Sequence, residues 1–329
     1  MQTNIFVARF FSSLVVLVGF GFSACSSSSG GVAGADAGAS DAGANDAASS
    51  GDGGPITTLP DGAPVPREHV RIVAGNLSSG NNQNYDTGEG GRIFAGLKAD
   101  VILIQEFNVG DKSDGAAQAF VETACGPGCS YYREATTYSI PNGIITRFPI
   151  ISSGDWDDPS TTDREFAWAQ IDVPGPIDLY AVSVHLLTSG ASQRATQATD
   201  LVNLVNANVP AGSYLVIGGD LNTENRDEAA TSTFGSIVDT AAPYPADGSK
   251  NDNTNQPRSK PHDWVMASPN FLAYTVGVKI GAQTFDPGLV VDTRVFTPIS
   301  DLAPALATDS AATNMQHMAV VRDFMIPSE

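Results

Sequence analysis

A chain of 329 residues with 42% hydrophobic side chains can bury one large core or two ordinary ones, so wholesale disorder is excluded. Its 17 Lys and Arg stand against 36 Asp and Glu, a net of −19 that argues against a basic-groove nucleic-acid binder. Three cysteines are too few for a disulfide-stapled miniprotein. Residues 1–24 read as a secretory signal, with Arg9 as the positive flank and Phe10–Phe22 as an apolar run too short to favour a membrane span. The stretch 25–66 is mostly Ser, Gly, Ala and Asp, which cannot offset the entropy of ordering and predicts a flexible linker. The body is placed at 67–329 and carries −15, because residues 1–66 hold only Arg9 and five Asp.

Within the body, short apolar runs rich in Val and Ile are bounded by Gly, Pro, Asn or Asp. They predict strands over His69–Ala74, Val101–Gln105, Gly143–Thr146, Phe166–Val173, Asp178–Val184, Tyr214–Gly218, Asp263–Ala267 and Met318–Phe324. Helical spacing of apolar residues predicts helices over Glu89–Ala99 and Ser192–Asn208. Several strand pairs are joined too tightly for a crossover helix. The expected class is therefore α/β (α+β), with two packed mixed or antiparallel sheets flanked by helices. Cys125 and Cys129, in Cys-Gly-Pro-Gly-Cys, would meet an oxidising compartment after export and predict a small loop disulfide. A metal or redox dithiol is the alternative, and no further soft ligand lies nearby to support it.

Polar residues at the ends of apolar strands carry the chemistry. Asn76 ends one run, Glu106 another and His185 a third, and Asp220 and Asn222 close a fourth. Residues two apart on an extended segment share a face, so Asp220 and Asn222 can address one ligand. Singly, each such residue reads as a turn former or a satisfied polar group. Jointly they are harder to dismiss, because three of only four His (His185, His262 and His317) fall in or beside these ends. Rigid strands that end in acids, amides and imidazoles make a scaffold for a site.

Two resemblances follow. Ser23-Ala24-Cys25 resembles the lipobox of bacterial lipoproteins, which implies lipidation of Cys25, although Phe22 stands where such boxes usually carry Leu. Ordinary signal cleavage beside an incidental Cys is the alternative. Asn76, Ile104-Gln105-Glu106, Val184-His185-Leu186, Gly219-Asp220-Leu221-Asn222, His262-Asp263-Trp264 and Gln316-His317-Met318 together resemble the endonuclease/exonuclease/phosphatase, or DNase I-like, superfamily. Asn142-Gly143 through Pro149-Ile150 resembles its mid-chain strand. The likeness spans about 69–325 and implies a four-layered α/β sandwich with the site at the sheet edges.

By this resemblance Glu106 is the first metal ligand, and Asn76 is a second ligand or an anchor beside it. Asp220 would orient and deprotonate the attacking water, with Asn222 beside the scissile phosphate. His185 and His317 would contact the phosphate, with Asp263 holding the tautomer of His317. Gln316 replaces a carboxylate common in the family, so it is a weaker metal donor, and Asp309 is the alternative to it. The cation is expected to be Mg²⁺, with Mn²⁺ or Ca²⁺ also compatible. Asn142 is a candidate cleft contact or merely a turn residue. Arg164 and Arg258 are candidate phosphate contacts, more often solvated or paired with acids. His262 is expected to be structural, facing away from Asp263. The implied function is a divalent-metal-dependent phosphodiester hydrolase, foremost an extracellular or cell-surface nuclease on DNA or RNA. Alternatives are a hydrolase of lipid head groups or small phosphorylated metabolites, and a non-catalytic surface module. A monomer is expected, exported and anchored in the membrane only through its N-terminal lipid, with Ser26 compatible with outer-membrane sorting.

Overall fold

The computed structural model describes residues 58–59 and 63–329. The predicted signal 1–24, Cys25 and most of the predicted linker lie outside the described residues. Packing begins ahead of Arg67, where Thr58 bridges Pro64, Val65 is buried and Pro66 accepts a hydrogen bond from the Ser328 N–H at 2.9 Å. No helix among the described residues is long and apolar enough to cross a membrane.

In the first part of the chain lie β1 (Arg67–Gly75), α1 (Glu89–Leu97), β2 (Val101–Ile104), α2 (Asp114–Ala124), β3 (Ser130–Arg133) and β4 (Gly143–Thr146). The middle holds β5 (Ile150–Trp156), β6 (Phe166–Ile171), β7 (Leu179–His185), α3 (Ala191–Asn208), β8 (Tyr214–Asp220), α4 (Ala229–Phe234) and β9 (Asp263–Ala267). After α5 (Pro269–Leu272) come the short strands β10 (Thr275–Val276), β11 (Val278–Ile280), β12 (Gln283–Phe285) and β13 (Leu289–Val291), and the long β14 (Ala319–Pro327).

Two mixed sheets result. The first, of seven strands, runs β10-β14-β1-β2-β4-β3, with β13 also paired to β14. The second, of five, runs β5-β6-β7-β8-β9. Each sheet has one parallel pair, β1 with β2 and β7 with β8. Those two pairs need crossovers, and α1 and α3 (the two helices legible in the sequence) supply them.

The side-chain period of two explains the layers. On β1, Ile72 and Ala74 pack between the sheets against Ala181 and Val216, whereas Val73 faces Phe94 and Leu97 of α1. On β8, Val216 faces inward and Leu215 and Ile217 pack against Leu201 and Val205 of α3. Helices thus cover both outer faces, and the fold is a four-layered α/β sandwich. The Cys125–Cys129 disulfide closes the glycine loop that ends α2.

Candidate active site

The site forms where the parallel pairs end. Gly75 lies level with Ile104 in the first sheet, so Asn76 and Glu106 leave neighbouring strands side by side. In the second sheet His185 is paired with Asp220, and Asp220 with Asp263, so three polar residues form a row across β7, β8 and β9. Adjacent strands lie about 4.8 Å apart, which places all three within reach of one small group. His317 enters just before β14, and Asn255 forms an isolated bridge with it.

The backbone here is shaped for function. Gly219 has φ of 131°, and a Cβ there would come within 2.2 Å of the Val184 carbonyl and 2.5 Å of Gln105 Nε2. Glu106 and Asn222 both adopt φ of 51°. Asn tolerates that region, but Glu does so at a cost of roughly 1–3 kcal/mol that the surrounding contacts must offset. Below the row, Gln105 Nε2 donates to Ser183 Oγ at 2.8 Å, and Ser183 Oγ donates to the Ile104 carbonyl at 2.9 Å. These bonds tie the two sheets directly beneath the site.

Glu106 accepts from Asn76 Nδ2 at 3.0 Å and from Ser78 Oγ at 2.6 Å. Asp220 Oδ1 accepts the Asn222 N–H at 2.9 Å, while its Oδ2 lies 3.3 Å from His185 Nε2 and 3.3 Å from His317 Nε2. His317 Nδ1 is 2.9 Å from Asp263 Oδ2, and Asp263 Oδ1 accepts the Asn76 N–H at 3.2 Å. Asn222 Nδ2 donates to the Leu186 carbonyl at 3.0 Å. Asn76, Glu106, His185, Asp220, Asn222, Asp263 and His317 therefore form one connected, buried cluster.

Its electrostatics divide the imidazoles. Burial opposes charge on His317, but Asp220, Asp263 and Glu106 outweigh it and lift the ring to about 10. Burial, with Arg164 and His317 close by, holds His185 well below the ordinary histidine value. At neutral pH His317 is a cation and His185 is neutral. Burial raises Asp220 to about 7, with Asp263 adding to the push and His317 opposing it.

The donor atoms fit a divalent cation. Asn76 Oδ1 is buried without a hydrogen-bond partner, beside a Glu106 carboxylate on the same edge. A free amide oxygen next to a carboxylate is the set that a hard ion such as Mg²⁺, Mn²⁺ or Ca²⁺ takes. Asp220, His262 and His317 offer a second set, with ligand atoms all within 4.8 Å of one another. A charged His317 held between carboxylates has no lone pair to give, so the Glu106–Asn76 edge fits better.

Other candidates are placed elsewhere. Gln316 has an exposed side chain and meets the fold through its carbonyl, which accepts the Gln256 N–H at 2.7 Å. Asp309 is held by Arg92 at 2.7 Å. Asn142 is fully buried, donating to the Glu165 carbonyl at 2.7 Å while its N–H goes to Glu134 at 2.8 Å. Arg164 is consumed by the carbonyls of His185 and Leu186 and by Asp163, so it fastens the end of β7. Arg258 is locked between Asp247 at 2.9 Å and Asp292 at 3.0 Å. His262 differs from expectation. It precedes β9, so strand alternation does not turn it away, and its half-buried ring lies 5.5 Å from that of His317. Burial and the charge on His317 push it down to about 4.

Sequence reasoning missed Ser78, Ser183 and Thr254, whose hydroxyls serve Glu106, Gln105 and the Asp263 N–H. Only Ser78, two residues beyond Asn76 and so on the same side of an extended segment, carried a readable signal.

The sequence profile of the Endonuclease/Exonuclease/phosphatase family matches residues 82–301. No curated protein matches the chain in sequence. Among solved structures, an endonuclease/exonuclease/phosphatase from Bacteroides vulgatus is similar at TM-score 0.54 and 14% identity, covering 78% of this chain and 98% of its own. A family protein from Bacteroides thetaiotaomicron is similar at 0.52 and 14%, covering 80% and 96%. A functionally unknown conserved protein from Enterococcus faecalis is similar at 0.53 and 11%, covering 77% and 98%.

Proposed function

The chain belongs to the endonuclease/exonuclease/phosphatase family, whose members are generally phosphoester hydrolases, and we propose that it is an exported, divalent-cation-dependent phosphodiester hydrolase. The observation that supports this most is the buried row His185–Asp220–Asp263, with His317 clamped across it and Glu106–Asn76 facing it from the other sheet. Asp220, anchored through Oδ1 by the Asn222 N–H, leaves Oδ2 to orient a water and take its proton. His317, kept protonated by Asp263, stabilises negative charge that develops on the phosphoryl oxygens. His185, neutral and donating or accepting through Nε2, contacts the same group. A cation held by Glu106 and Asn76 supplies Lewis-acid stabilisation of the phosphoryl group.

Export and a lipid anchor at Cys25 rest on the reading of residues 1–25. The direct test incubates the purified protein with plasmid DNA, RNA and bis(p-nitrophenyl) phosphate, with Mg²⁺, Mn²⁺ or Ca²⁺ and with chelator. Hydrolysis that the chelator abolishes is expected, and its absence on every substrate would sink the reading.

An extracellular nuclease is the form the sequence puts first. One observation favours the second substrate class, small phosphorylated metabolites or lipid head groups. Cations in the segments flanking the site are already neutralised: Lys260 by Glu224 at 2.5 Å, Arg226 by Asp252 at 3.3 Å and Arg92 by Asp309 at 2.7 Å. A duplex must displace these carboxylates to gain phosphate contacts, whereas a small ester needs only the cluster itself. Turnover that falls steeply with salt on DNA supports the nuclease, and turnover confined to the small ester supports the second class.

A further inference from the structure

Three imidazoles stand at the site, and His262 differs from the other two. His185 and His317 are buried, and each has a nitrogen 3.3 Å from Asp220 Oδ2. His262 is half-buried, and no group among the described residues hydrogen-bonds either of its ring nitrogens. The backbone nevertheless fixes its position. One further bond extends the Asp220–Asp263 pairing, from the Leu221 N–H to the His262 carbonyl at 2.7 Å, and Thr254 Oγ1 holds the Asp263 N–H at 2.6 Å.

Geometry limits what this imidazole can meet. One ligand atom from each of Asp220, His262 and His317 lies within 4.8 Å of the other two. The centre of such a triangle is at most about 2.8 Å from any corner, which is hydrogen-bond distance for a single oxygen. Burial and the charge on His317 push His262 down to about 4, so at working pH the ring is neutral and one nitrogen carries a lone pair. Asp220 offers an acceptor as well, because the Asn222 N–H occupies Oδ1 and leaves Oδ2. His317 is a cation and supplies no acceptor, so the first two settle both hydrogens of a water placed among them. Asp220 alone would leave that water free to turn about one bond, whereas two fixed hydrogens fix its lone pairs.

On the hydrolase reading given above, we propose that His262 is a further catalytic residue: with Asp220 it holds the attacking water by both hydrogens and aims a lone pair at phosphorus. The water oxygen forms the new P–O bond, and the leaving oxygen departs with the electron pair of the bond that breaks. One water proton passes to Asp220. The other stays on the new P–OH group, hydrogen-bonded to His262, which gains no proton. Methanol, with a single O–H, can satisfy Asp220 but has nothing left to donate to His262. The imidazole therefore favours water over an alcohol as the attacking group.

The test follows bis(p-nitrophenyl) phosphate, or whichever diester the protein cleaves, with divalent cation in water containing a minor fraction of methanol. Chromatography separates p-nitrophenyl phosphate from its methyl ester. His262→Phe keeps a ring of similar size without an acceptor. Its kcat for hydrolysis should fall about tenfold at unchanged KM while methanolysis holds, so the ratio of methyl ester to hydrolysis product rises about tenfold. His262→Leu carries the same expectation if His262→Phe does not fold. A purely structural role would lower both reactions together. A ratio that does not move, including no methyl ester from either protein, overturns the proposal, as does hydrolysis at the wild-type rate in the variant. If the wild type cleaves no diester at all, the hydrolase reading falls and the role of His262 with it. If it cleaves and the ratio stays where it was, only the role of His262 falls.

Discussion

The two sheets bring different chemistry to one edge. The first sends Asn76, Ser78 and Glu106 from the ends of β1 and β2, an all-oxygen set around a single carboxylate. The second sends His185, Asp220 and Asp263 from β7, β8 and β9, one imidazole and two carboxylates that His317 completes into an alternating chain. Oxygen donors alone suit a hard cation, whereas alternating acids and imidazoles separate pKa values and suit proton transfer. His317 stitches the two, because it precedes a strand of the first sheet yet bonds only to carboxylates of the second. A site assembled this way can lose one half and keep the other, which makes the division testable.

The largest effect is expected in the second sheet. Asp220→Asn removes the base while keeping an acceptor for the Asn222 N–H, so kcat/KM should fall by about 10³–10⁴ with the melting temperature little changed. More cation should not restore it. Glu106→Gln is expected to weaken the metal instead, raising the cation concentration for half-maximal activity by about 10–100-fold and recovering much of the rate when cation is added. If excess cation rescues Asp220→Asn and not Glu106→Gln, the assignment of the two sheets is reversed.

Asp263→Asn should cost less, about 10–100-fold, because His317 keeps Asp220 as a partner and loses only the group that fixes its other nitrogen. The alkaline limit of activity should also move to lower pH in this variant. Two of the charges that hold the His317 proton would then be one. A pH profile that superimposes on the wild type would show that His317 does not act as the cation.

Much of this was legible where strands are doubly buried and end on a polar residue. The predicted Gly143–Thr146 and Asp263–Ala267 match β4 and β9 at both ends, and the ends of β1, β2, β7 and β8 carry the predicted site residues. Edge elements were not legible. β5 reads Ile-Ile-Ser-Ser-Gly-Asp-Trp, mostly exposed and without apolar alternation, and β10 to β13 are two or three residues long. Nor does sequence reveal what satisfies an arginine. Arg164 and Arg258, expected to be solvated or paired with acids before phosphate, are paired, but partners as far as 34 residues away along the chain could not be named from it. Extending strand alternation to the residue ahead of β9 turns His262 away from the site, whereas its ring lies beside that of His317.

The smallest expected effect lies at the β3–β4 end of the first sheet and concerns stability. Glu134 is 1% exposed, and its Oε2 accepts the Asn142 N–H at 2.8 Å while its Oε1 is without a partner. Burial raises this carboxyl to about 8 from an ordinary 4.5. The folded state therefore holds its proton more tightly than the unfolded chain does. The resulting stability is complete below about pH 4.5 and is lost as the pH climbs through 8. Glu134→Gln keeps the acceptor and cannot ionise, so it should flatten the alkaline fall and exceed the wild type by about 2 kcal/mol near pH 9. Denaturant melts at a series of pH values give the measurement. Parallel curves for the two proteins would mean that Glu134 ionises freely in the fold, and that its surroundings are wetter than its burial implies.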